Sequence, residues 1–185
     1  MLKSMKYLFA LPLLAMVACG PETPELPNEE ELITTLQLDF RNASSGEVST
    51  FKLYDEDGFG PIEPVYTNGQ LEANTNYTVT ITVLNETENP ADNITAEIAE
   101  EAADHQFFFT ASNSLNIDFA YDDTDVNNNP VGLSTIFTTG AASEGTLTVV
   151  LRHEPAKDAA GVKDGDITNA GGETDIQAVF DVTIN

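Results

Sequence analysis

The chain holds two histidines, and each sits among carboxylates. His105 follows "EEAAD" and runs into "QFFF", while His153 ends the run "GTLTVVLRH", with Glu154 directly after it. Imidazole nitrogen and carboxylate oxygen together form the ligand set of zinc and other borderline divalent ions. The acids that would complete such a site are Glu154 and the loop residues Asp122, Asp123 and Asp125. Each histidine also has a structural role to weigh against this one. His105 suits a cation at a helix C-terminus, where the macrodipole favours positive charge. His153 suits a rim residue that caps the core and bonds a backbone carbonyl.

Oxygen-only cation sites are present as fragments. Asp123, Asp125 and Asn127 have the D-x-D-x-N spacing that opens many calcium loops, but Asn128 takes the glycine position and no glutamate closes the loop. "YDEDGFG" (Asp55, Asp57, Gly58) and "KDGDITNAGGETD" (Asp164, Asp166, Asp175) also lack a closing ligand. Zn2+ or another borderline divalent cation therefore ranks ahead of Ca2+. Enzyme chemistry has little to stand on. No nucleophile elbow, phosphate loop or paired cysteines occur, and with so many aspartates any acid–base pair would be arbitrary. The chain reads as non-enzymatic.

The elements that must position these residues are mostly strands. In "LITTLQLDF" Leu36, Leu38 and Phe40 alternate with polar residues; "NYTVTITVL" does the same with Tyr77, Val79, Ile81 and Val83. Residues 115–121, 146–153 and 175–184 repeat the pattern, and weaker strands fit 48–54, 62–66, 105–110 and 133–138. Period-two alternation belongs to half-buried antiparallel strands. One segment differs: "NPADNITAEIAEEAADH" aligns Ile94, Ile98 and Ala102 at helical spacing, with Asp92 as N-cap. The expectation is an all-β, antiparallel β-sandwich with one amphipathic helix insertion laid across an end or edge. If that helix reaches residue 105, Glu101 and His105 share a face.

Strand parity then bears on the histidines. Consecutive antiparallel strands reverse direction, so alternate connections fall at one end. Counting from 105–110, this gathers His105, Asp122, Asp123, Asp125, His153, Glu154 and the acids of 158–175 at one pole. Glu154 cannot face inward beside His153 on a regular strand, so it joins a site only if the strand ends there.

The first residues look like an address. Lys3 and Lys6 precede the apolar run "YLFALPLLAMVA", too short to span a bilayer, and Cys19, the one cysteine, follows Ala18. The expected division is a signal peptide over 1–18, a lipidated cysteine with a flexible acidic tether over 19–31, and one folded domain over 32–185. The tether "GPETPELPNEEE" has three prolines, five glutamates and little to bury. Cleavage after residue 18 removes two of the seven basic residues and none of the 31 acids, which leaves five against 31. That balance opposes nucleic acid and anionic lipid as partners and favours cations or basic surfaces. Acidic solubility alone is the competing explanation.

Several resemblances add to this. The segment ending in Ala18 and Cys19 resembles a bacterial lipobox, which implies diacylglycerol on the Cys19 thiol and attachment to the membrane through a lipid anchor. The acidic stretch after it is similar to signals that export lipoproteins to the cell surface in Bacteroidota, which ranks the surface ahead of the periplasmic face of the outer membrane. Leu71, Thr75 and Tyr77 in "LEANTNYTVTI" resemble the tyrosine corner of fibronectin type III and related immunoglobulin-like sandwiches, which implies a phenol bonded to the chain just upstream. Together with "NEEELITTL", "VGLSTIFTTGAASEGTLTVVLRHEP" and "AGGETDIQAVFDVTI", the lipobox resembles small Bacteroidota lipoproteins often encoded beside TonB-dependent receptors. This implies a ligand-binding accessory to such a receptor. A structural or adhesive surface module with no small ligand is the alternative.

Overall fold

The structure, a computed structural model, describes residues 32–58 and 60–185. The signal segment, Cys19 and the tether lie outside the described residues. In chain order the elements are β1 (Thr35–Asn42), β2 (Val48–Tyr54), β3 (Val65–Thr67), β4 (Gln70–Leu71), β5 (Asn76–Leu84), α1 (Ile94–Glu100), β6 (His105–Ala111), β7 (Ile117–Tyr121), β8 (Ser134–Thr139), β9 (Ser143–His153) and β10 (Glu173–Ile184). Two 3-10 turns, Val162–Asp164 and Ile167–Asn169, interrupt the long connection before β10.

The strands form two sheets, ordered β3-β2-β1-β5-β8-β7 and β4-β10-β9-β6. Every pairing between them is antiparallel except one: two-residue β4 runs parallel to the end of β10, with Leu71 opposite Ile184. That pair departs from a purely antiparallel sandwich, because the chain crosses from one sheet to the other between β3 and β4.

The alternation sets the packing. Leu36, Leu38 and Phe40 of β1 and Val79, Ile81 and Val83 of β5 join Phe107, Phe109, Leu147, Val149, Leu151, Ala178 and Phe180 of the other sheet in one buried cluster. Phe40 anchors it, with ring centroids 5.1 Å from both Phe51 and Phe137. Each such side chain contributes about 1.5–3 kcal/mol by leaving water. β6 does not alternate: His105 to Phe109 are all buried. Its outer face lies beneath the 154–172 connection, where Phe108 and Val150 meet Val162 and Ala170 in a second small core. Gln106 pins this cover, donating from Nε2 to the Val162 carbonyl and to the Tyr121 hydroxyl. Tyr121 in turn donates to the Phe107 carbonyl, and burial pushes its phenol up to about 12.

The helix is shorter than its sequence pattern. Asn93, not Asp92, stands at the N-cap position, because the Asp92 backbone is committed to an extended bridge with Asn85. Ile94 and Ile98 face the core as the stripe requires. The helix stops at Glu100, and His105 opens β6, so Glu101 and His105 share no helical face. At the opposite end of the sandwich, the Tyr77 hydroxyl accepts a hydrogen bond from the Glu72 N–H at 2.7 Å. Leu71 is buried beside it, and the Thr75 hydroxyl donates to the Ala73 carbonyl.

Candidate metal centre

The antiparallel register of β6 and β9 sets His105 directly opposite His153. Directly opposite residues point to one face of a sheet, here the core-facing side shared with Phe107 and Leu151. The two imidazoles stack, with centroids 4.7 Å apart and planes within 18°. β10 supplies the third member. It carries a bulge: Thr174 pairs with Arg152 and Ile176 with Leu151, which leaves Asp175 as the extra residue. Asp175 is buried, and its Oδ2 lies 4.0 Å from His105 Nε2. One ligand atom from each of His105, His153 and Asp175 falls within 4.8 Å of the others.

The tautomer of His105 follows from a second contact. Its Nδ1 lies 3.2 Å from the Glu101 carbonyl. A carbonyl only accepts, so Nδ1 is the donor in that contact, and Nε2 is the ring nitrogen turned toward Asp175. The 4.0 Å between Nε2 and Asp175 Oδ2 is too long for a direct hydrogen bond. Ligand atoms of one tetrahedral zinc-like ion stand about 3.3 Å apart, so the two groups would have to close slightly to share an ion. A ring nitrogen held by a backbone carbonyl, with its other nitrogen presented, is the arrangement that orients metal-ligating histidines.

The remaining sequence candidates stand elsewhere. Asp123 uses both carboxylate oxygens on its own loop, accepting from the N–H groups of Gly132 and Ser134. Asp125 accepts from the N–H groups of Asn127 and Asn129 through Oδ1, and its Oδ2 pairs with Lys157 Nζ at 3.3 Å. Burial pushes the Asp125 carboxyl up, but those N–H groups and Lys157 outweigh it and hold the carboxyl below its ordinary value. A calcium ion at the D-x-D-x-N spacing would have to displace these bonds. Asp122 and Glu154 are also outside the 4.8 Å group. β9 ends at His153, and Glu154 turns away in a left-handed conformation (φ 50°) with its N–H on the Asp104 carbonyl.

The other acidic fragments fold on themselves. Asp57 donates its N–H to Asp55 Oδ1 and accepts from the Ile62 N–H, while Asp166 caps the second 3-10 turn at Thr168. Burial, then neighbouring Asp57, pushes the Asp55 carboxyl above its ordinary value.

Asp175 enters the sequence reading as a calcium fragment and among the acids of 158–175 that parity gathers at this pole, but not as a named metal ligand. Its inward turn depends on a bulge, and the one local signal is the glycine pair before it. Gly171 and Gly172 both have positive φ, and a Cβ on Gly172 would stand 2.2 Å from the His153 carbonyl oxygen. Only glycine lets β10 start so close to the end of β9. Compared with protein-family models, curated proteins and solved structures, the chain matches none.

Proposed function

We propose that this chain is a lipid-anchored, immunoglobulin-like module of the outer membrane that captures a divalent transition metal through His105, His153 and Asp175. The observation that carries this reading is the convergence of His105, His153 and Asp175, whose ligand atoms lie within 4.8 Å of one another, with the His105 ring held at Nδ1 by the Glu101 carbonyl. Two imidazoles and a carboxylate gathered this closely form a ligand set for a zinc-like ion. The surplus of 31 acidic over seven basic residues raises the local concentration of any cation. The Tyr77–Glu72 bond supports the immunoglobulin-like assignment. The lipobox-like end of the signal segment supports the anchor, and the resemblance to receptor-linked lipoproteins supports delivery to a TonB-dependent receptor.

The test is calorimetric titration of Zn2+ into the full chain carrying Cys19→Ser, which removes a competing thiol, beside the same chain with His105→Ala and His153→Ala. Sub-micromolar one-to-one binding that the histidine variant lacks is the expected result. No binding in the parent would make the stacked histidines a structural cap on the core and return the protein to the class of surface modules without a small ligand. The anchor is checked separately: Cys19→Ser should move the protein from the membrane to the soluble fraction.

A further inference from the structure

We infer that Glu173 is a fourth ligand of this centre, and that the cleft lined by His153, Glu154, Gly172 and Glu173 is the mouth through which the ion enters and leaves. The inference rests on the metal-binding reading and adds the group that makes the site exchangeable.

A zinc-like ion takes four ligands, and the buried group supplies three. The register supplies a fourth. Glu173 is directly opposite His153 on β10, as His105 is directly opposite it on β6. The three residues therefore form one row across the sheet, all on the face that carries Phe107 and Leu151. Neighbours in such a row have Cβ atoms about 4.5–5.5 Å apart, within reach of a glutamate that rotates toward a shared ion. The Gly171–Gly172 reversal fixes this row, since it brings the backbone before Glu173 against the His153 carbonyl.

Exposure divides the four residues into two kinds. His105 and Asp175 are buried, 2% and 8% exposed, and His153 is half-buried. Glu173 is exposed at the rim of a cleft of about 550 Å³ whose walls also carry His153 and Glu154. Asp175 borders a different, smaller cavity of about 190 Å³; Asp55 also lines it, but Ile33, Leu53, Pro64 and Ile176 make much of its wall apolar. A hydrated cation loses less solvation along a wall of carboxylates than along one of hydrocarbon. Glu173 thus meets the ion first and closes over it, while the three inner groups are already placed. A site with one ligand on an exposed, rotatable side chain is suited to handing its ion on, whereas a site closed on every side is suited to holding a fold together.

Glu154 provides the control. It lines the same cleft and carries the same charge, but it follows His153 in a left-handed turn and is outside the row. The experiment measures zinc affinity by competition with a chromophoric chelator, and the visible absorption of the Co2+ form, for three full chains carrying Cys19→Ser: the parent, Glu173→Ala and Glu154→Ala. Both variants change an exposed side chain, and circular dichroism checks that they fold. The expected result is affinity at least about tenfold weaker in Glu173→Ala, faster release to the chelator and an altered Co2+ spectrum, with Glu154→Ala within about twofold of the parent. Tight binding in the parent that Glu173→Ala leaves unchanged, or that Glu154→Ala weakens equally, overturns the role of Glu173 and leaves the three-residue centre standing. A parent that binds neither Zn2+ nor Co2+ overturns the centre itself.

Discussion

Lys157 and His105 are both buried at the same pole of the sandwich, each a nitrogen base beside an aspartate, and they differ in how their bonding closes. Lys157 Nζ donates to the Ala102 carbonyl, the Pro130 carbonyl and Asp125 Oδ2. Its three protons have three acceptors, one in the turn after α1 and two in the 122–132 loop. Asp125 is completed by two backbone N–H groups. Nothing there is left for a ligand to do, so this pair ties three loops together. At His105 one nitrogen is satisfied by Glu101, and the other faces the oxygen of Asp175 at 4.0 Å. Closed bonding marks a staple, whereas His105, His153 and Asp175 bring three possible ligand atoms within 4.8 Å of one another. Burial of a charged group alone does not distinguish them.

The comparison breaks most visibly at the staple. Lys157→Met should cost about 3–5 kcal/mol, because it leaves Asp125 buried without its counter-charge. Urea unfolding measures the loss, and zinc affinity of the folded chain should stay within about twofold. A cost under about 1 kcal/mol would mean the loops hold without it. The same pair has an acid signature. Since the folded Asp125 carboxyl lies below its ordinary 3.8, its contribution is fully present above that value and lost as pH falls through the folded value. The stability gap between the parent and Asp125→Asn should therefore narrow on acidification below about pH 4. Lys157 moves the other way for its type: burial outweighs the attraction of Asp125 and lowers its value.

The proposed centre should respond to metal instead. Zinc at a hundredfold excess over Kd should add about 2.7 kcal/mol to unfolding of the Cys19→Ser chain and nothing to that of the double histidine variant. Equal shifts in the two would place the bound ions on surface carboxylates. Gly172→Ala sharpens the contrast, because it strikes the site through the backbone. With φ at 69° and the new Cβ 2.2 Å from the His153 oxygen, it should cost about 1–3 kcal/mol and weaken zinc binding as well. Destabilisation with unchanged affinity would show that the start of β10 does not set the ligand positions. Tyr77→Phe, at the far end of the sandwich, should cost about 1 kcal/mol through the lost Glu72 bond and leave metal binding untouched.

The one-sided strands were the most legible part of the chain. β1 and β5 keep a strict inward–outward alternation because only one of their faces is covered, and that constraint is written directly into residue order. β6 was read as weaker because both faces are covered, the second by residues some fifty positions later, as the Gln106–Val162 bond shows. The helix stripe at Ile94 and Ile98 was visible, but its ends were not. Where it begins depends on the Asn85–Asp92 bridge, and it ends just short of the Glu101 carbonyl that holds His105.

The sequence by itself determined the alternation that builds two sheets, the acidic balance, and the presence of two histidines at strand ends that parity could bring to one pole. These depend on residue type and spacing along the chain, which local sterics and the hydrophobic effect translate without further information. Only the tertiary structure decided which carboxylates joined the histidines. Asp123 and Asp125, with the more suggestive spacing, were taken by backbone N–H groups and a lysine 32 positions away. Asp175 was brought in by a single inserted residue in β10. A one-residue bulge changes which side chains turn inward, and its position depends on the packing of β9 against β10 rather than on any pattern in the residues it moves.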